Sequence, residues 1–150
     1  MTLTLVSPRA DIGQLAVRAP VVVPSTCTIR EAARTMRGAD VSSALIAGMN
    51  AIVTERDLAV AVAEGRDGTD AVSSIASAHP VVVEGHTPIA EAAAVMLNRG
   101  VRHLIVHVGD DVGVVSLRDV MDVLLQALEP SMGWQSLRFG PSSSSELWLG

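Results

Sequence analysis

The sequence predicts an α/β fold in which two β-α-β-β-α repeats pack against each other with pseudo-two-fold symmetry. An internal repeat is the first observation behind this prediction. Pro-Val-Val-Val at 20–23 returns at 80–83, and the apolar positions of the next segment return at the same spacing of 60 residues. The second observation is that each copy alternates short β-branched runs with longer amphipathic segments, which is typical of strands and helices that share a core.

Length and composition bound the class of protein. A chain of 150 residues suffices for one compact domain, and two repeats of about 55 residues are expected to share a core because each is marginal alone. Hydrophobic residues make up 49% and charged residues 18%, which excludes disorder over most of the chain. The net charge is −5 and the 11 basic residues, all arginine, are scattered, so no nucleic-acid partner is expected.

Neither a membrane span nor an intramolecular disulfide is expected. No apolar stretch reaches the roughly 18 residues that a span requires, and Cys27 is the single cysteine. The sequence therefore predicts a cytoplasmic protein with no membrane partner.

Each copy opens with the same elements. A helical turn is expected at 12–17 and 72–76, and a strand at 21–23 and 81–83, where the apolar runs are short and β-branched. An amphipathic helix follows, because apolar residues then recur at i, i+3, i+4 and i+7. These residues are Ile29, Ala32, Ala33 and Met36 in the first copy, and Ile89, Ala92, Ala93 and Met96 in the second.

Helix ends and hairpins complete each copy. Gly100 is expected to end the second-copy helix in the left-handed conformation, and Gly38 to do the same in the first copy. Hairpins at 44–54 and 104–116 contain glycine at their turns and lead into a closing helix. Aliphatic residues on the exposed faces of the closing helices predict a homodimer.

These elements divide the chain into five predicted parts. They are an N-terminal extension at 1–10, a first repeat at 11–64, a linker at 65–70, a second repeat at 71–129 and a Ser/Gly-rich tail at 130–150. The tail carries Trp134 and Trp148 as apolar anchors within an otherwise flexible composition, so a protein partner docking there is left open.

A polar motif stands at the last strand-to-helix turn of each copy. It reads Thr-Glu-Arg-Asp at 54–57 and Ser-Leu-Arg-Asp at 116–119. A hydroxyl residue followed three positions later by an acidic residue is a helix capping box, so a purely structural role is available. The same position also suits an anionic ligand, because free backbone amides and the helix dipole favour negative charge there.

The duplicated unit with its duplicated motif resembles the cystathionine-β-synthase-type (CBS) domain pair over about residues 11–129. Members of that family are regulatory modules without catalytic activity. They bind adenosine-containing ligands such as AMP, ADP, ATP or S-adenosylmethionine in clefts between the two repeats. The resemblance implies the same non-catalytic role here, with no cofactor.

The resemblance also implies which residues would bind the ligand. The motif carboxylates would hold the ribose hydroxyls, the motif hydroxyls the phosphates, the first-strand backbone the adenine edge, and the residues after the first helix the phosphate region. The implied set comprises Val22, Ser42, Ser43, Thr54, Arg56, Asp57, Val82, Arg102, His103, Ser116, Arg118 and Asp119. A carboxylate can accept from both hydroxyls of a ribose diol, and each such bond to a charged group contributes about 1.5–3 kcal/mol.

The two copies differ in the implied phosphate region, where Ser42 and Ser43 correspond to Arg102 and His103. An arginine presents a planar fork to phosphate oxygens, so we expect two unequal clefts.

The same residues also allow a different interpretation of the protein's function. The chain could instead be a structural dimerisation module that binds no nucleotide, with the two motifs acting only as helix caps. No metal site is expected, because His103 and His107 share a strand face but lie about 13 Å apart.

Overall fold

A computed structural model describes residues 6–16 and 19–132, with side chains through residue 128. The predicted β-α-β-β-α unit appears twice. In chain order the elements are β1 (Val22–Val23), α1 (Ile29–Gly38), β2 (Ser43–Ile46), β3 (Ala51–Thr54), α2 (Glu55–Ala63), β4 (Ser77–Ala78), β5 (Val82–Glu84), α3 (Ile89–Arg99), β6 (His103–Val108), β7 (Asp111–Ser116) and α4 (Leu117–Met132). Short 3-10 turns at Ile12–Gln14 and Val72–Ser74 precede the two units. The tryptophans of the tail lie outside the described residues.

The two sheets have the same plan with one addition. In the first half, β1 is parallel to β2 and β2 is antiparallel to β3. In the second half, β5 is parallel to β6 and β6 is antiparallel to β7. The extra strand is β4, which follows the 3-10 turn at Val72–Ser74 and pairs antiparallel with β3, so the first sheet has four strands and the second has three.

The leading 3-10 turns are exchanged between the halves. Ile12 is fully buried in the core of the second half, where its backbone amide donates to the Thr87 carbonyl at 2.8 Å. Val72 is fully buried in the core of the first half, where its amide donates to the Cys27 carbonyl at 2.9 Å. Each aliphatic core is therefore completed by the segment that opens the other repeat.

The end of α1 differs from the prediction. Gly100 is left-handed, with φ of 65°, as expected after α3. Gly38 is still helical, Ala39 after it is right-handed, and the left-handed residue is Asp40, with φ of 53°. Aspartate tolerates this conformation because its side chain is short and polar. The repeat spacing of 60 residues pairs Asp40, and not Gly38, with Gly100.

Within the described ranges, no helix combines the length and apolarity needed to cross a membrane.

Candidate functional site

Both polar motifs form helix caps. The backbone amide and the hydroxyl of Ser116 each donate to Asp119 Oδ2 at 2.8 Å, and the Asp119 amide donates to Ser116 Oγ at 3.3 Å. Thr54 and Asp57 repeat the pattern, with the Thr54 amide 2.7 Å and its hydroxyl 2.9 Å from Asp57 Oδ2. The capping role is therefore present in both halves, and each aspartate keeps a second carboxylate oxygen outside the cap.

Each helix start is tied to the residue that enters the neighbouring strand. The Leu117 amide, first in α4, donates to the Arg102 carbonyl at 2.7 Å, and the Glu55 amide, first in α2, donates to the Ser42 carbonyl at 3.1 Å. His103 pairs with Ser116 in the β6–β7 register. The residues after the first helix of each half therefore lie beside the motif of the same half.

A cleft of about 980 Å³ opens between the two halves. Its volume is at the upper end of the range for small-molecule sites. Seven of the residues implied by the sequence line it: Ser42, Ser43, Arg102, His103, Ser116, Arg118 and Asp119. The first half contributes the two serines and the second half contributes the rest, so the cleft exists only in the assembled pair.

Sequence reasoning missed nine further lining residues. They are Leu15, Ala19, Pro20, Val21, Asp40, Val41, Val114, Leu117 and Met121. Seven of the nine are aliphatic, counting Ala and Met and leaving out Pro20 and Asp40. They give the cleft an apolar wall beside its charged residues. The repeat spacing of 60 residues pairs Asp40 with Gly100, so the sequence could have placed Asp40 at the end of α1, directly before the cleft residues that follow this helix. No sequence signal placed Leu15, because its position depends on the exchange of the leading turns.

Five implied residues do not line this cleft: Val22, Thr54, Arg56, Asp57 and Val82. Val22 and Val82 are 53% and 44% exposed, because strand alternation points them away from the neighbouring buried Val23 and half-buried Val83. Asp57 lies at the equivalent place in the first half, where its Oδ1 accepts from Ser77 Oγ at 3.4 Å. Ser77 belongs to β4, the strand that only the first sheet has among the described elements.

His103 joins the two halves inside the cleft wall. Its Nε2 lies 2.8 Å from Ser42 Oγ, in a hydrogen bond whose direction depends on the imidazole tautomer. Burial lowers the pKa of His103 below its ordinary value, and the carboxylates of Asp119 and Glu55 oppose that shift. The ring is therefore neutral at neutral pH and acts as a hydrogen-bonding group.

A second, smaller cavity of about 470 Å³ lies in the second half and contains none of the implied residues. It is lined by Asp11, Gly13, Gln14, Glu84, Gly85, His86, His107, Val108 and Gly109. In the described part of the chain, no three His, Cys, Asp or Glu residues are arranged to hold a metal ion.

Comparison with known sequences finds the CBS domain twice. The sequence profile of that domain matches residues 12–64 and 72–126. A curated relative, an uncharacterized 17.7 kDa protein of Acidianus ambivalens, is 33% identical over 120 residues, which cover 76% of this chain and 73% of the relative.

Solved structures give the same result. A CBS domain protein from Pyrobaculum aerophilum complexed with AMP is 31% identical with a TM-score of 0.67, over 77% of this chain and 96% of that one. A CBS-domain containing protein from Agrobacterium tumefaciens is 25% identical with a TM-score of 0.69, over 76% and 98% of the respective chains.

Proposed function

The chain belongs to the CBS-domain family as a pair of CBS domains, and from this premise we propose that it is a regulatory module whose inter-repeat cleft binds an adenosine-containing nucleotide. AMP, ADP, ATP and S-adenosylmethionine are the candidate ligands. The similar Pyrobaculum aerophilum protein, complexed with AMP, makes AMP the first to test.

One observation carries the proposal: a single cleft gathers the serines of the first half and the Ser-x-x-Asp motif of the second half. A motif that acted only as a cap would not need to face a cavity. Here Asp119 uses Oδ2 for the cap, and within the described residues its Oδ1 has no hydrogen-bond partner. That oxygen is available to a ribose hydroxyl.

The charges at the second-half end of the cleft favour a phosphate. Arg102 and Arg118 supply two guanidinium groups to the cleft, and Arg118 lies in the first turn of α4. The first-turn amides of Leu117 and Asp119 are bonded to Arg102 and Ser116, while no described residue accepts from the Arg118 amide. A helix start with one open amide and two arginines suits a phosphate oxygen.

The apolar wall would hold the base. Val21, Val41 and Val114 line the cleft, and no aromatic residue lies before residue 130. Adenine would therefore be held between aliphatic side chains. Binding regulates only if the ligand has different affinities for two packings of the halves, and a ligand that touches both halves has that opportunity.

The test compares the two motif aspartates. Asp119→Asn keeps an oxygen that can accept the Ser116 amide, but presents an amide donor or one acceptor to the ribose diol. We expect calorimetric affinity for AMP to fall by one or two orders of magnitude, the equivalent of about 1.5–3 kcal/mol.

Asp57→Asn is the matched control, because Asp57 caps α2 in the same way and does not line the cleft. Its affinity for AMP should stay within about twofold of the wild type. If none of AMP, ADP, ATP and S-adenosylmethionine binds the wild-type protein at millimolar concentration, the alternative of a structural module with caps alone replaces this proposal.

We further propose that the module is a cytoplasmic homodimer. The support for self-association is an apolar stripe on α4 formed by Met121, Leu125 and Leu128, which are 44%, 45% and 50% exposed. Residues spaced by four and three positions share one helix face, and a contiguous apolar face of this kind marks an interaction surface. A docking role for the tail at 130–150 remains a separate prediction.

A further inference from the structure

The contact between His103 and Ser42 joins the repeats at the wall of the cleft. Within the described part of the chain, it is the one side-chain hydrogen bond between residues 19–64 and residues 81–128. Both partners line the cleft, so a ligand there lies against the link between the halves. His103 follows Arg102 in the chain and pairs with Ser116 of β7, so it lies in the part of the cleft where the proposed phosphate would bind.

The charged groups around His103 come from α4, from α2 and from the residue that precedes β6. Asp119 from α4 and Glu55 and Asp57 from α2 favour the protonated ring, while Arg102, its own chain neighbour, disfavours it. Burial outweighs the carboxylates, because the pKa of His103 is lowered overall. The free cleft therefore holds a neutral imidazole at neutral pH.

We propose that His103 makes nucleotide binding proton-linked, so that a phosphate entering the cleft draws a proton from solvent onto the imidazole and affinity for phosphate-bearing ligands rises as pH falls. The inference rests on the proposed function and adds its regulation. No covalent bond to the ligand forms, and the proton returns to solvent when the ligand leaves. The imidazolium carries a proton on both ring nitrogens, so in the complex Nε2 donates to Ser42 Oγ.

The direction in which affinity changes with pH follows from thermodynamic linkage. A phosphate anion near the ring favours its charged form and raises the pKa of His103 in the complex. Because coupling is reciprocal, protonation must strengthen phosphate binding by the same factor. Each pKa unit gained on binding corresponds to about tenfold in affinity between the alkaline and acidic limits. An uncharged ligand such as adenosine offers no anion and should show no such dependence.

The experiment measures affinity for AMP by calorimetry between about pH 8 and about pH 5, the range over which histidines titrate. His103→Gln retains a hydrogen-bonding group toward Ser42 but cannot take up a proton. AMP changes its own charge near about pH 6, as phosphate monoesters do, and this affects wild type and variant alike. The ratio of the two affinities therefore reports His103 alone.

We expect this ratio to rise about tenfold or more toward acidic pH with AMP, and to stay flat with adenosine. His107→Gln is the matched control: His107 lies on the same strand, is exposed, and does not line the cleft. Its pH profile should match that of the wild type. A wild-type to His103→Gln ratio that is constant across pH, with AMP binding intact, would overturn the proton linkage and leave the proposed function standing.

A second measurement tests the proposal if the His103→Gln protein does not fold. Nuclear magnetic resonance of the His103 ring in the wild-type protein should show its pKa rising when AMP is added, and no rise would overturn the proposal. Failure of AMP to bind at any pH would overturn this inference, whereas the proposed function falls only if ADP, ATP and S-adenosylmethionine also fail to bind.

Discussion

At Gly113 on β7, the absence of a side chain lets the leading segment pass across the second sheet. A Cβ atom at this position would lie 2.6 Å from Ala16 Cβ and 3.1 Å from the Ala16 carbonyl oxygen. Leu15 and residues 19–21 of the same segment line the cleft. Gly113 therefore affects the cleft without touching its contents.

Gly113→Ala should lower both stability and affinity for AMP. The added methyl meets backbone that cannot rotate away, and overpacking of this kind costs about 1–3 kcal/mol. Urea unfolding followed by circular dichroism gives the first quantity and calorimetry the second. Gly38→Ala is the matched control, since nothing lies within 4 Å of its added methyl and its φ is not left-handed. A Gly113→Ala protein as stable as Gly38→Ala would contradict the close approach of Ala16.

Single residues show where sequence reasoning works and where it stops. The cap that Ser116 and Asp119 form on α4 is predictable from sequence, because the spacing of three residues fixes its geometry wherever the helix lies in the fold. Val21 was missed in favour of Val22, because which side of a short strand faces a cleft depends on the packing of the other half. The prediction that Gly38 ends α1 in the left-handed conformation is wrong, because that residue is Asp40, which the repeat spacing of 60 residues pairs with Gly100.

At the scale of elements, α4 carries the strongest unpartnered feature. Leu125 stands at the middle of the apolar stripe and does not line the cleft. If a second copy covers this stripe, Leu125→Glu buries a charge in the interface and the protein should become monomeric in light scattering after size exclusion. Met49→Glu, at an equally exposed residue of the β2–β3 turn, should leave the assembly unchanged. A Leu125→Glu protein that remains dimeric would place the interface elsewhere.

Strands and helices with strong periodic patterns were predicted from sequence, and β4 was not. The helices α1 and α3 repeat an apolar stripe that needs no tertiary information. Strand β4 is two residues long, Ser77 and Ala78, both exposed and without β-branching. It exists because β3 offers an open edge, and an edge is a property of the folded sheet.

At the scale of the molecule, the exchanged leading turns make the halves interdependent. Ile12→Ala should destabilise the protein by about 2–5 kcal/mol, because it leaves a cavity in a close-packed core. Hydrogen exchange should show where: protection should fall first in α3 and β6, which belong to the second repeat. Val62→Ala, at a highly exposed residue of α2, is the control and should change little. Loss of protection confined to residues 19–64 would contradict the exchange.

The same exchange constrains how the chain could have arisen. A polypeptide of one repeat alone would have had an opening turn that could not pack into its own core. Its core would in turn have lacked the turn that completes it. Two such polypeptides could complete each other's cores by exchanging their opening turns. Fusion of two tandem copies of the gene would have kept the same exchange within one chain. An ancestor of half the length would then have been a swapped pair before it was a single chain.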